Sequence, residues 1–84
     1  MTSADAAEVD AIGLLCPLPI LRCRQALARL PPGGTCVLWA DDDAIRVDLP
    51  AFCEGQGHEL VEIRPARHGA SGRQALRSVV RKAS

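Results

Sequence analysis

Proline brackets one stretch of this chain so tightly that a single structure is open to it. Pro17 and Pro19 stand just before a segment in which Ile20, Cys23, Leu27 and Leu30 recur at helical spacing, with Arg22, Gln25 and Arg29 on the other side; Pro31-Pro32-Gly33-Gly34 stands just after it. The first backbone N–H groups of a helix have no internal partner, so prolines at the first and third helical positions forfeit no bond, and the fixed proline dihedral suits the first of them. No helix continues through two prolines and two glycines. The bracket predicts a helix over 17–29.

The remaining elements fall into place around that helix. A short alternation over 9–12, closed by Gly13, reads as a first strand, and 35–40, with Val37, Leu38 and Trp39, as a strand buried on both faces or nearly so. Trp39 is read as core, the alternative being a partly exposed patch. Asp41-Asp42-Asp43 is a helix-start signal, because carboxylates favour the positive end of the helix dipole. Pro50 would delete a bond inside one long helix, so the reading is a turn over 44–47 and a second helix over 49–56, capped by Asp48 and stopped by Gly57. Segment 58–64 alternates as a strand with Val61 and Ile63 facing one way, 65–72 is a connector, and 76–81 is a last strand. The order β-α-β-α-β-β implies an α/β (α+β) two-layer sandwich. Its four-stranded mixed sheet has a parallel first pair, an antiparallel last pair and both helices on one face. Residues 1–8 are expected to be a flexible N-terminus and 9–84 a single domain.

Size and composition exclude several functions. At 84 residues there is room for one core and none for a deep enclosed pocket. Trp39 and Phe52 are the only aromatic residues, and ten basic side chains cancel ten acidic ones, so neither a base-stacking platform nor a phosphate-binding surface is expected, and no direct nucleic-acid contact. Charge is nonetheless uneven, from −6 over 41–62 (seven acids, one arginine) to +6 over 63–84 (five arginines, one lysine). Opposed charges facing each other across strands explain this as well as partner steering does. No run of 18 apolar residues and no apolar leader occur, so the expected setting is the cytoplasm, without a membrane partner.

The four cysteines carry the chemistry. Disulfides are not expected in a reducing compartment. Cys16, Cys23, Cys36 and Cys53 are separated by 6, 12 and 16 residues, with no C-x-x-C pair, so no metal site is read from them and no cofactor is expected. Cys23 and Cys53 fall on the inner stripes of the two helices and Cys36 in the buried strand, and all three read as small core residues. Cys16 differs. In Cys16-Pro17-Leu18-Pro19 it sits where the Gly13 turn hands over to the helix, at the expected cap position against the positive end of the dipole. A thiolate is stabilised there, so Cys16 is the candidate nucleophile, with Gly13, Pro17 and Pro19 supporting its geometry.

These residues resemble the TusA-like (SirA-like) sulfur-carrier family over nearly the whole chain. The resemblance rests on Val9-Asp10-Ala11-Ile12-Gly13-Leu14-Leu15 leading into the Cys-Pro-Leu-Pro motif, then on Ala40-Asp41-Asp42-Asp43, Asp48-Leu49-Pro50-Ala51-Phe52-Cys53 and Gly57-His58-Glu59-Leu60. It implies a sulfur carrier, acting in a sulfurtransferase relay, that holds sulfur as a persulfide on Cys16. A desulfurase or rhodanese-type protein would load it and an acceptor protein would unload it, with the carrier itself a monomer. Many relatives have arginines where Ile12 and Leu15 stand, so Leu15, beside the thiol, becomes a candidate apolar docking residue and Arg22 a candidate basic one. The alternative from another class is a non-catalytic regulatory domain that senses redox state through the same cysteine.

Overall fold

The strand at 35–40 sets the frame for the sheet. In this computed structural model, which describes residues 6–83, that strand is β2 (Thr35–Ala40). Before it come β1 (Ala6–Ala11) and α1 (Leu18–Ala28), and after it α2 (Ile45–Gln56), β3 (Glu59–Arg67) and β4 (Gln74–Arg81). The sheet order is β1-β2-β4-β3. β1 and β2 are parallel, from Ala6 opposite Thr35 to Ala11 opposite Ala40, whereas β4 runs antiparallel to both β2 and β3.

β2 alternates cleanly. Cys36, Leu38 and Ala40 are buried against the helices, while Thr35, Val37 and Trp39 face the other way and are only half-buried. The expectation of a strand buried on both faces, with Trp39 in the core, is therefore corrected. Both helices cover the same face, and among the described residues no helix lies on the other. The Trp39 indole instead donates from Nε1 to Glu8 Oε2 at 2.6 Å, and its ring meets that of His68 edge-on. From the helices, Cys23, Leu27, Ile45, Leu49 and Cys53 close the core. The three cysteines outside the motif are all buried, as their stripes indicated.

Four boundaries differ from the sequence reading by two residues or more. β1 starts at Ala6, so residues 6–8, expected to be flexible, are strand paired to β2; residues 1–5 lie outside the described residues. α2 is one helix from Ile45, not a turn followed by a helix from residue 49. Burying both Ile45 and Leu49 completely outweighs the single bond lost at Pro50. β3 runs through Pro65 to Arg67, and β4 starts at Gln74, two residues before the expected 76. A proline is admissible in β3 because that strand is the sheet edge and its outer side needs no N–H. The register also shifts between Leu60 and Glu62, so Val61 is an extra residue that bulges outward. Val61 and Ile63 thus do not share a face; Leu60 and Ile63 pack on the core while Val61 is exposed.

Gly57 ends α2 as expected, with φ 77, the left-handed conformation that favours glycine. The His58 N–H then reaches back to the Cys53 carbonyl at 2.9 Å. Pro50, sixth residue of α2, tests the energetic claim about that helix. Pro50→Ala restores a helix bond and removes a ring clash at the Arg46 carbonyl, offset in part by a more flexible unfolded chain. The expected gain is about 1–2 kcal/mol, a thermal midpoint higher by roughly 5–10 °C in a calorimetric scan.

Candidate functional site

Parallel pairing builds the site. Because Ala11 lies opposite Ala40, the loops that leave β1 and β2 emerge side by side at the same end of the sheet. One loop carries Gly13 and Cys16, the other the three aspartates 41–43. Gly13 turns the first loop with φ 84, a conformation that strains any residue with a side chain. Its N–H donates to Asp41 Oδ1 at 2.9 Å. The Cys16 N–H donates to Asp42 Oδ2 at 2.8 Å, while the other oxygen of Asp42 accepts from the Ala44 N–H at 3.0 Å. One carboxylate therefore ties the cysteine to the start of α2. Asp41 extends the same frame, pairing through Oδ2 with Arg73 at 2.7 Å in the connector between β3 and β4.

The sulfur itself meets α2. Cys16 Sγ donates to Asp48 Oδ2 at 2.5 Å. This bond, with burial and the negative charges of Asp48 and Asp42 behind it, pushes the Cys16 thiol up to about 11. The expectation of a helix-stabilised thiolate is thereby corrected. α1 begins at Leu18, one residue later than expected, with Pro17 in the cap position and Pro19 buried within the first turn. Cys16 thus precedes the cap rather than occupying it, and two carboxylates stand where only a helix dipole was anticipated. Asp48 is not the cap of a later helix either; it sits in the first turn of α2 with its side chain directed at the thiol. In chemical terms the site holds a neutral thiol whose proton already points at a potential base. Proton transfer to Asp48 as the sulfur attacks would activate it without a standing thiolate.

Asp42 is held below the usual carboxylate range by its two backbone donors, first Cys16 and then Ala44. The Cys16–Pro17 peptide bond is cis.

Of the residues singled out in the sequence, Gly13, Cys16, Pro17 and Pro19 lie together in this loop and first helical turn. Leu15 is beside the thiol and exposed. Arg22 is not part of the bonded network; with Gln25 and Arg29 it lines a cleft of about 490 Å³ between α1 and the free edge of β1. His58 is also elsewhere, accepting from the Ala83 N–H at 2.9 Å and lying against Phe52. The residues that sequence reasoning missed are Asp42 and Asp48 as direct partners of Cys16. Their signal is present in the acidic turn and in Asp48, but the turn reads as a helix-start signal and Asp48 as a helix cap.

Residues 7–81 match the sequence model of the family described as sulfurtransferase TusA. The chain belongs to the TusA family. It is 47% identical over 55 residues to the sulfur carrier protein TusA of Pseudomonas syringae pv. syringae, a stretch covering 66% of each chain. The crystal structure of a SirA-like protein from Desulfitobacterium hafniense superposes with a TM-score of 0.68 at 26% identity, covering 93% of this chain and 99% of that one. The four-stranded mixed sheet with two helices is thus the fold of this TusA-family chain, as the element order indicated.

Two measurements check the site's electrostatics. Asp48→Ala removes both the charge and the acceptor that hold the thiol proton. Returning the thiol from about 11 to near its free value of roughly 8.5 gives on the order of 100-fold more thiolate at pH 8, partly offset by weaker nucleophilicity. Alkylation of Cys16 by iodoacetamide, followed by peptide mapping, should speed up about tenfold. The second concerns Asp42. A carboxyl group with a lowered folded-state pKa contributes fully above its unfolded pKa, and that contribution is lost as pH falls through the folded value. The Cys16 amide should therefore stay protected from hydrogen exchange through the ordinary aspartate range near 3.9 and lose protection only below it. In Asp42→Ala the protection should be absent at every pH.

Proposed function

We propose that this chain is a sulfur carrier that receives sulfur as a persulfide on Cys16 and delivers it to an acceptor protein. The observation that carries the reading is a single half-exposed thiol, on a loop braced by two aspartates, with a third aspartate holding its proton. In the loading step the Cys16 sulfur attacks the outer sulfur of the donor's persulfide. A new S–S bond forms on Cys16 and the donor's S–S bond breaks. Asp48 takes the Cys16 proton, and the departing donor thiolate is protonated in turn. The exchange is between persulfide and thiol, so no external oxidant enters. Unloading runs the same step in reverse toward an acceptor.

The remaining parts suit this role. Gly13 and the two prolines hold the thiol on rigid backbone, as a group that must fit two partners in turn requires. The other three thiols are buried and compete for no sulfur. Donors of desulfurase or rhodanese type, a protein acceptor, a monomeric carrier and a cytoplasmic setting belong to the same proposal. Among the described residues no helix is long and apolar enough to cross a membrane.

Incubation with cysteine and a cysteine desulfurase should add the mass of one sulfur to the wild-type chain, reversibly by reductant. Cys16→Ser should stay unmodified. Equal uptake by Cys16→Ser would sink the assignment, and peroxide-driven sulfenic acid on Cys16 without sulfur uptake would favour the sensor.

A further inference from the structure

The cleft between α1 and β1 takes no part in the thiol site. It holds about 490 Å³; residues 6–10 form one wall, and Arg22, Gln25 and Arg29 stand on the other. Consecutive residues of a strand point to opposite faces of the sheet. Five in a row line one cleft only through the strand's edge, where backbone N–H and C=O groups are exposed. β1 is such an edge, bonded on one side to β2 in unbroken register, with no strand on the other among the described residues. Its sequence, Ala-Ala-Glu-Val-Asp-Ala, holds no proline and no lysine. The opposite edge is guarded. Pro65 removes a donor from β3, Val61 bulges out of it, and Arg64 and Arg67 add charge along it.

Charge is sorted across the β1 edge. Arg46, Arg64, Arg73, Arg77 and Arg81 all stand in ion pairs, and Arg67 donates to the Gly72 carbonyl. Among the described residues no ion pair engages Arg22 or Arg29, which lie on the helix side of β1. On the side without helices, Glu8 accepts from the Trp39 indole and Asp10 lies 3.5 Å from His68 Nε2. A strand laid along β1 thus meets two cations on one face and two carboxylates on the other. A second copy of this chain does not fit that demand. A two-fold axis extends a sheet antiparallel, which sets Glu8 or Asp10 opposite the copy's own acids and brings the arginines of both α1 helices together. Nucleic acid fits no better, because its phosphates suit the arginines but are repelled by Glu8 and Asp10.

We propose that this cleft receives an extended segment of another protein as a fifth strand beside β1, one whose acidic side chains alternate with lysines or arginines. Main-chain bonds to the free edge hold such a segment whatever its sequence, and the alternating charges select it. Its acids turn toward Arg22 and Arg29, its cations toward Glu8 and Asp10. Same-face residues of a strand are about 6.6 Å apart, and seven helical residues put the two arginines about 10 Å apart along α1, so two neighbouring acids reach them. The inference stands on the edge and its charges and does not depend on the carrier reading.

The probes are two fluorescein-labelled peptides of equal composition, titrated against the full chain at low salt. In one, Glu and Lys alternate strictly; in the other they repeat as Glu-Glu-Lys-Lys, which puts both charges on each face. The alternating peptide should bind about tenfold more tightly by fluorescence anisotropy, and should slow hydrogen exchange at the β1 amides that do not bond to β2. Arg22→Gln with Arg29→Gln, both at exposed positions, should weaken it about tenfold. Arg24→Gln, on the same helix but outside the cleft, should leave it unchanged. Equal binding of the two peptides overturns the proposal, as does full binding by the double variant. Protection that appears away from β1, or no binding of the alternating peptide at millimolar concentration, overturns it too. Tighter binding of a single-stranded oligonucleotide would make the cleft an anion site, and a dimer split by the double variant would make the occupant a second copy; either result overturns it.

Discussion

One carboxylate, that of Asp42, is the joint on which the site depends. Its two oxygens accept from the Cys16 and Ala44 backbone N–H groups, so the end of the cysteine loop and the start of α2 cannot move separately. That coupling carries Asp48, four residues further along α2, to the sulfur. None of it arises without the parallel pairing of β1 and β2, which alone puts the two loops at the same end of the sheet. The joint thus converts a property of the topology into a distance between a thiol and a base. Asp41 supports it from the other side by linking the Gly13 turn to Arg73.

Much of this fold was legible in the sequence because its punctuation is strong. The proline bracket around α1, the six residues of β2 and the Gly57 stop all rest on local rules that tertiary packing had no reason to override. Where packing did have a reason, local rules gave way. Pro50 reads as a break only while the complete burial of Ile45 and Leu49 is invisible, and Pro65 reads as a loop residue only while β3 is not known to be an edge strand. Trp39 was misread for a related reason. Apolar strand residues are usually buried, but which face of a sheet lacks helices is decided by topology and not by the strand.

The site was legible in part, and unevenly. Cys16 stood out because prolines fixed its surroundings, and Cys23, Cys36 and Cys53 fell on inner stripes that the structure buries. The state of the thiol was misjudged. A helix N-terminus was inferred to hold a thiolate, but the dominant influence is a bond to a residue 32 positions away in sequence. Contacts of that separation leave no periodic or neighbouring trace in a single chain. Asp42 and Asp48 did leave a trace, as acids near helix starts, and a helix-start signal absorbed the first and a capping role the second, because those are the commoner uses of such residues.

A raised thiol pKa fits a carrier better than it first looks. In the unloading step proposed above, the acceptor would attack the outer sulfur and the Cys16 sulfur would be the leaving group, which departs more slowly the higher its pKa. A standing thiolate at this position would be a good leaving group, and its persulfide would surrender sulfur to any passing thiol. A sulfur that departs only with a proton is selective, because the proton must be placed at the moment of transfer. The Asp48 carboxylate is already bonded to the thiol, so in the proposed relay it would take the proton as Cys16 attacks and return it as Cys16 leaves. In the proposed relay the same short contact that suppresses the free thiolate would let sulfur move in both directions when a partner closes over the site.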